Sequence, residues 1–287
     1  MSGLLRRAAG ASCWPLLAAA VAAHASLAVL AAAEYATLGW LLATWFDLAA
    51  VTLVLASALA GLAASARVAA RAAGGSRELR RLVRSGRQPL PPAVRSAAAA
   101  LGLAGRVDAV RAGEPFAVTY GLARPRILIS GNLAGALSPA ELSAVLAHER
   151  YHLVHRDPAR LLAARLLAAY GCYLPAAWWV AGQAALRREL AADQAAATRA
   201  GRGVLAAALL KLASLPPCPA VAAASPAGDP AGSLEARVAQ LEGGHTPRAR
   251  LAAGRMLASG GGLAVLAAAG MCCAGLSQAL PAGVLWT

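Results

Sequence analysis

Two histidines and a glutamate in the middle of the chain, His148, Glu149 and His152, form the pattern H-E-x-x-H. On an α-helix the two histidines are four residues apart, so their imidazoles project from one face and can bind a single metal ion. Zinc is the usual ion for such a pair, and Glu149 is suitably placed to take a proton from water there. The spacing therefore predicts a zinc site with its general base, although a buried polar pair or a chance surface pair would have the same pattern.

A third ligand for such an ion is available later in the chain. Catalytic zinc usually has three protein ligands and one open position. Glu189 and Asp193 are four residues apart on another predicted helix, so Glu189 can complete the ligand set while Asp193 accepts the free ring N–H of a histidine. An ordinary solvated acidic face is the alternative, but the chain has only 13 acidic residues and these two stand in an alanine-rich segment. We expect one zinc ion.

Other polar residues near the pattern leave alternatives open. His155 is about 10 Å farther along a straight helix than the first histidine, too far to share its ion. It can support a ligand, face the substrate or have an ordinary polar role, and we favour the last. Asp157 can orient a histidine or cap the helix end. Tyr151, Tyr173 and the arginines around residue 187 are candidates for stabilising an oxyanion.

Local signals predict the helix that must carry the histidine pair. Ser138 is a natural N-cap, Pro139 fits the first helical position and Glu141 completes a capping box. The helix should begin at about Pro139 and end near residues 157–158, because the residue before a proline is disfavoured in a helix. Around it we predict short strands at 106–111, 116–120 and 127–130, helices at 93–105 and 203–215, and a mobile loop at 216–232.

The composition predicts a mainly α-helical membrane protein. With 59% hydrophobic residues and a mean hydropathy of +0.57, the chain is too apolar for a soluble domain of its length. Apolar runs at 15–33, 38–66 and 260–282 are candidate transmembrane helices. We predict two N-terminal transmembrane helices (1–66), an arginine- and proline-rich linker (67–92), a zinc domain with a small β-sheet (93–258) and a C-terminal transmembrane helix (259–287).

The arginines predict which side of the membrane the zinc domain faces. Arg6 and Arg7 precede the first apolar run, no basic residue separates the first run from the second, and seven arginines follow the second between Arg67 and Arg87. The positive-inside rule then predicts a multi-pass protein of the cell membrane with a cytoplasmic zinc domain. A signal peptide cleaved after residue 25 would leave the domain on the same side. Anionic lipid and topology explain the net charge of +14 better than nucleic acid does, so no direct nucleic-acid binding is expected.

Residues 161–185 are apolar enough to be a membrane span, yet they cannot make a single net crossing. His152 and Glu189 flank them and must meet at one metal ion. The segment is therefore either a pair of core helices or a hairpin that enters the membrane and returns, with the break at 171–175. We favour an apolar hairpin against or partly within the cytoplasmic leaflet, with Trp178 and Trp179 near the headgroups.

Several segments together resemble a known family, the integral-membrane gluzincin peptidases of the BlaR/MecR antirepressor type. These are residues 115–121, the Arg-Pro-Arg-Ile strand at 124–130, the zinc helix at 137–152, the Arg-Asp-Pro at 156–158 and the Glu-Leu-Ala-Ala-Asp at 189–193. That family is similar in turn to the HtpX and CAAX prenyl-protease group. The resemblance covers roughly residues 90 to 245, and residues 233–242 resemble the short helix that follows the third ligand in this family.

The resemblance implies a zinc endopeptidase with a gluzincin-like cytoplasmic domain, ligands His148, His152 and Glu189, and catalytic Glu149. Such enzymes commonly bind substrate as an added strand at the edge of the small sheet. The implied substrate is a winged-helix transcriptional repressor of the BlaI/MecI kind, which would make the protein a regulator of gene expression through proteolysis. The chain ends six residues after Pro281 without a penicillin-binding domain, so we do not expect direct β-lactam sensing.

Two other functions are compatible with the sequence. A membrane quality-control or prenyl-protein protease of the HtpX/CAAX kind would have the same zinc segments, but more than three spans would be expected around its substrate chamber. A non-catalytic membrane signalling scaffold is more distant, because the catalytic Glu149 is intact. The five cysteines show no paired spacing and predict no disulfide. The activating signal and the oligomeric state do not follow from the sequence.

Overall fold

Helices dominate the computed structural model, which describes residues 14–38, 45–216, 218–224, 230–243 and 253–278. The helices in these residues are α1 (Trp14–Leu38), α2 (Trp45–Gly86), α3 (Pro92–Ala100), α4 (Leu133–Ala136), α5 (Pro139–His155), α6 (Asp157–Tyr170), α7 (Pro175–Ala200), α8 (Arg202–Ala213), α9 (Pro219–Ala224), α10 (Pro230–Leu241) and α11 (Ala253–Gln278). A mainly helical fold is what the sequence predicts.

A small mixed sheet precedes the helix with the histidine pair. Its strands are β1 (Arg87–Gln88), β2 (Val107–Val110), β3 (Ala117–Tyr120) and β4 (Arg126–Ser130). In the described residues their order is β1-β2-β4-β3, so β1 and β3 are the edges. β2 and β4 are parallel, whereas β1 pairs with β2 and β3 pairs with β4 in antiparallel fashion. The three predicted strands are confirmed to within one or two residues.

The described chain divides into two compact units. The terminal-helix unit comprises residues 1–68, 165–181 and 250–287, and the sheet unit comprises residues 69–164 and 182–249. The core of the sheet unit packs β2 and β4 against α3, α5 and α8, with Ile127, Ile129, Leu142, Leu146 and Leu205 almost fully buried. The sheet unit thus holds α5 against a rigid apolar platform, as a site of defined geometry requires.

Apolar helices form the terminal-helix unit. Within the described residues, one helical stretch, Leu48–Gly86, contains a segment long and apolar enough to cross a membrane. Shorter apolar stretches lie at Ala18–Ala33 and Ala253–Ala269. They coincide with parts of the first and third predicted spans, the latter of which extends beyond the described residues.

The structure differs from the sequence prediction in several segments. The predicted helix at 93–105 is shorter, because α3 ends at Ala100. Residues 67–86 of the predicted linker continue α2, since alanine and arginine are strong helix formers. The predicted loop 216–232 is wrong at 219–224 and 230–232, which are helical. Both of these helices begin with a proline. Proline fits the first helical turn because a backbone N–H at that position has no partner within the helix, so its absence costs nothing.

Candidate metal centre

Helix α5 begins where the local signals predict. The Ser138 side chain accepts a hydrogen bond from the Glu141 backbone N–H at 3.3 Å, and the Glu141 carboxylate accepts one from the Ser138 N–H at 2.8 Å. The helix ends at His155, because Arg156 adopts a left-handed conformation with φ of 53°. The predicted start is confirmed. The helix ends two residues before the predicted end at 157–158, and the prediction that Pro158 ends it is wrong, because Asp157 and Pro158 begin α6. His148, a helical residue between these ends, is buried together with its neighbours on the inner face.

Three side chains converge at the buried face of α5. The Nε2 atoms of His148 and His152 are 3.1 Å apart. Each lies 3.5 Å from a carboxylate oxygen of Glu189, which α7 supplies. The candidate donor atoms of all three residues lie within 4.8 Å of one another, and no other such group of His, Cys, Asp or Glu is found in the described residues. The structure therefore brings together the three residues that the sequence predicts as ligands.

The outer nitrogen of each ring faces a buried carboxylate. His148 Nδ1 lies 2.9 Å from Asp193 Oδ1, and His152 Nδ1 lies 2.9 Å from Asp157 Oδ2. At His152 the carboxylate makes a hydrogen bond with Nδ1, and at His148 the carboxylate lies within ion-pair distance of Nδ1. In both places a carboxylate favours the tautomer whose Nε2 lone pair faces the centre. Of the two roles considered for Asp157, the structure shows the orientation of a histidine, although Asp157 is also the first residue of α6.

Each of these carboxylates is in turn bound by an arginine. Arg237, from α10, makes two hydrogen bonds to Asp193, at 2.7 and 2.8 Å, and lies 3.5 Å from Glu189. Arg188 donates a hydrogen bond to Asp157. Asp193 is wholly removed from water, and the two hydrogen bonds from one arginine compensate the cost of burying its charge. Helices α6, α7 and α10 are thereby joined through the polar network around the histidine pair.

The network shifts the protonation equilibria of its members. Burial acts against a charged His148, yet its contacts with Asp193 and Glu189 raise its pKa to about 9. Burial also opposes ionisation of the two carboxyl groups, but contacts with His148 lower the pKa of Glu189 to about 2, and those with His148 and Arg237 lower that of Asp193 to about 2. The carboxylates around His148 therefore favour a positive charge at the centre, which a bound metal ion would supply.

The donor set fits a zinc ion. If both imidazoles are neutral with their protons on Nδ1, as in a metal-bound pair, two Nε2 lone pairs face each other at 3.1 Å, and a cation between them stabilises this arrangement. Two nitrogen ligands of tetrahedral zinc lie about 3.3 Å apart, given Zn–N distances of about 2.05 Å. The two histidine side chains are 10% exposed and that of Glu189 is 31% exposed, so the side of Glu189 is open to a further ligand.

Glu149 lies beside the triad and is anchored to the sheet. Its side chain is buried, and its Oε2 accepts a hydrogen bond of 2.7 Å from the hydroxyl of Thr119 on β3. Because β3 is an edge strand, this bond joins the free edge of the sheet to the helix with the histidine pair. The hydrogen bond fixes the orientation of the carboxylate, as the role of a general base requires.

The remaining candidate residues are not among the candidate ligands, although the Tyr151 ring lies 6.1 Å from the ring of His152. His155 bonds to the Tyr151 carbonyl through Nδ1 at 2.8 Å, and its ring stacks on that of Tyr151, in keeping with the ordinary polar role favoured above. Tyr173 belongs to the terminal-helix unit, and Arg187 is exposed. Sequence reasoning missed Thr119 and Arg237. The helix that carries Arg237 was noticed only through the family resemblance.

A histidine pair one helical turn apart, a converging carboxylate and an adjacent glutamate are typical of metallopeptidases. The sequence profile of the BlaR1 peptidase M56 family matches residues 15–241. The chain therefore belongs to this family and is a membrane-associated metallopeptidase. No curated protein and no solved structure matches it significantly.

Proposed function

We propose that the chain is a zinc-dependent endopeptidase of the cell membrane that cleaves a cytoplasmic protein. The observation that carries this proposal is the convergence of His148, His152 and Glu189 on one point, with donor atoms within 4.8 Å, beside the buried Glu149. A zinc ion held by these residues would polarise the scissile carbonyl group and make water a stronger acid.

Glu149 is the general base and then the general acid of the proposed reaction. Its carboxylate takes a proton from the attacking water and delivers it to the nitrogen of the leaving amine. The Thr119 hydroxyl, bonded to Oε2, fixes the carboxylate and leaves Oε1 to carry the proton. Asp193 and Asp157 keep the histidine rings in the orientation that directs Nε2 to the centre.

The position of β3 supports an extended protein substrate. A segment that added to this edge as a further strand would lie next to Thr119 and hence next to Glu149. The family resemblance supports a winged-helix repressor of the BlaI/MecI kind as that substrate. Cleavage of such a repressor would make the chain a regulator of gene expression.

The distribution of apolar surface supports several membrane spans. Nearly all of the large apolar side chains that are exposed in the described residues belong to the terminal-helix unit; only Leu122, Val154 and Leu210 do not. An exposed apolar surface of this kind is stable in lipid and unfavourable in water. Together with the arginines after residue 66, it supports a multi-pass protein whose zinc domain is cytoplasmic.

Cleavage of a co-expressed repressor tests the proposal. Native chain, Glu149→Gln and Glu235→Gln would be compared in membranes, with cleavage followed by immunoblotting. Glu235 is exposed and serves as the matched control. We expect Glu149→Gln to cleave about 10²- to 10⁴-fold more slowly, the usual contribution of a general base, and the control to cleave normally. Equal cleavage by the native chain and Glu149→Gln would contradict the proposed role of Glu149.

A further inference from the structure

One partly buried arginine, Arg165 of α6, has no hydrogen bond or ion pair among the residues that the structure describes. The partly buried basic residues in this part of the chain are Arg126, Arg150, Arg165, Arg188 and Arg237. The other four each donate to an oxygen atom of the chain, three to aspartate carboxylates and one to a backbone carbonyl. The guanidinium group of Arg165 is therefore the exception to a consistent pattern.

The surroundings of Arg165 on its own helix are apolar. The residues one turn away on either side are leucines and alanines, and two of them, Ala168 and Ala169, are fully buried. In the described residues no charged group compensates the partial burial of the guanidinium. A cation that is removed from water without a partner is unfavourable, so proteins rarely bury arginine unless it is paired. An anion from outside the chain would supply the missing partner.

Two contacts define how α6 and α2 run beside one another within the terminal-helix unit. A Cβ atom added to Gly61 would lie 2.5 Å from the carbonyl oxygen of Tyr170, and the Ser65 hydroxyl donates to the Leu166 carbonyl at 3.1 Å. Four residues forward on α2 thus correspond to four residues backward on α6. The two helices are antiparallel and lie close together over this turn.

This register gives the level of Arg165 in the terminal-helix unit, to which it belongs. One residue beyond the contact of Ser65 with Leu166, Arg165 lies level with Ala66, because both helices rise by the same distance per residue. The apolar run 38–66 ends at this level and is followed by Arg67. Lipid headgroups are expected where an apolar span ends and basic residues begin.

We propose that Arg165 binds the phosphate group of an anionic phospholipid. A guanidinium group can donate two parallel hydrogen bonds to two phosphate oxygens, and it is less strongly hydrated than an ammonium group. The acyl chains would lie against exposed apolar side chains of the same unit, among them Leu59 and Leu62 of α2. Inorganic phosphate offers the same oxygens without acyl chains, so the apolar surroundings favour the lipid. The site is independent of the proposed peptidase reaction.

Lipid titration of the full-length chain tests the proposal. The native chain, Arg165→Gln, Arg165→Lys and Arg160→Gln would be freed of lipid in detergent and titrated with dioleoylphosphatidylglycerol, dioleoylglycerol or inorganic phosphate. Native mass spectrometry measures the bound molecules, and thermal unfolding is recorded with and without each of them. Arg160 is the matched control, because it belongs to the same helix and is exposed.

We expect Arg165→Gln to weaken binding of the first phosphatidylglycerol molecule about 10- to 100-fold, the usual value of a charged hydrogen bond. Arg165→Lys should keep part of the affinity, since lysine retains the charge without the bidentate geometry. Arg160→Gln should bind as the native chain does. Dioleoylglycerol, which has no phosphate, and inorganic phosphate, which has no acyl chains, should both bind the native chain more weakly than phosphatidylglycerol.

Thermal unfolding distinguishes a lipid site from a structural role of Arg165. Without lipid, Arg165→Gln should be at least as stable as the native chain, because it removes a partly buried charge that has no partner. Phosphatidylglycerol should raise the unfolding temperature of the native chain and of Arg160→Gln, but not that of Arg165→Gln.

Three results would overturn the proposal. Equal phosphatidylglycerol binding by the native chain and Arg165→Gln would show that the guanidinium is not the site. A loss of stability or folding in Arg165→Gln without lipid would show that Arg165 has a partner within the chain. Inorganic phosphate that binds as strongly as phosphatidylglycerol would assign the site to a soluble anion.

Discussion

At the residue scale, each histidine of the pair is held by a carboxylate that is itself held by an arginine. His148 faces Asp193, which binds Arg237, and His152 faces Asp157, which Arg188 binds. Removing an outer partner of this kind typically weakens metal binding 10- to 100-fold, because the ligand loses its orientation. The arginines are therefore expected to matter although neither is a ligand.

Arg237→Met should weaken zinc binding by about 10- to 100-fold. By itself, the loss of the positive charge of Arg237 would favour binding of a cation. Asp193, however, is completely buried, and without Arg237 its carboxylate would tend to take up a proton and would no longer orient His148. Arg237→Lys should restore part of the affinity, since lysine supplies the charge without the bidentate geometry. Competition with a chelator measures the affinity.

Arg187→Met is the matched control, because Arg187 is exposed and near Glu189 in sequence. It should bind zinc as the native chain does. Native affinity in Arg237→Met would show that Asp193 orients His148 without help, and would contradict the role given to the arginine.

Some of these residues can be predicted from the sequence and others cannot, for a physical reason. His148 and His152 are one helical turn apart, so their spacing alone places them on one face. Arg237 is 44 residues from Asp193, and Thr119 is 30 residues from Glu149. Nothing in the local sequence distinguishes that arginine from 26 other basic residues, because the contact exists only after α10 and α7 have packed together.

At the element scale, the small sheet is stabilised by a buried charge at its centre. Asp108 of β2 accepts hydrogen bonds from Arg126 of β4 at 2.5 and 2.9 Å and from the Tyr120 hydroxyl of β3 at 2.8 Å. Burial of Asp108 opposes its ionisation, but these bonds and the charge of Arg126 lower its pKa below the ordinary value. One carboxylate thus joins three strands, including the edge strand that carries Thr119.

Asp108→Asn should lower the stability of the sheet unit by about 2 kcal/mol at neutral pH, since it removes hydrogen bonds to a charged group. A carboxyl group whose pKa is lowered in the folded state stabilises it fully above the unfolded pKa of about 4, and less as the pH falls below that value. The difference between native and Asp108→Asn chains should therefore shrink below about pH 4. Thermal unfolding in detergent between pH 3 and 8 measures this.

Glu235→Gln, at an exposed position, is the control for a general loss of negative charge. It should unfold at the native temperature throughout. A stability difference for Asp108→Asn that persists unchanged at pH 3 would mean that the charge of Asp108 is not what stabilises the sheet.

Element boundaries could be predicted where one residue determines them. Ser138, Pro139 and Glu141 fix the start of α5 by local hydrogen bonds, and the prediction is confirmed. The segment 216–232 is rich in proline and alanine, which predicts a loop, whereas Pro219 and Pro230 each begin a helix. The two-residue strand β1 lies within the predicted linker, and only its pairing with β2 makes it a strand.

At the scale of the whole molecule, composition predicts an apolar chain but does not predict which contacts its apolar helices make. The exposed apolar side chains of the terminal-helix unit explain the high mean hydropathy. The hairpin at 161–185 was predicted from one constraint, that His152 and Glu189 must meet, and its break is confirmed between Tyr170 and Pro175. The Ser65 hydroxyl donates to the Leu166 carbonyl at 3.1 Å, and this contact between residues distant in sequence has no local signature.

The zinc content of the purified full-length chain tests the central claim most directly. We predict that mass spectrometry finds about one zinc ion per chain in the native protein and in Glu149→Gln. His152→Ala and Glu189→Ala should each lose about nine-tenths of this zinc, because each substitution removes one of the three proposed ligands. A native chain without zinc, or full zinc content after loss of both His152 and Glu189, would contradict the account.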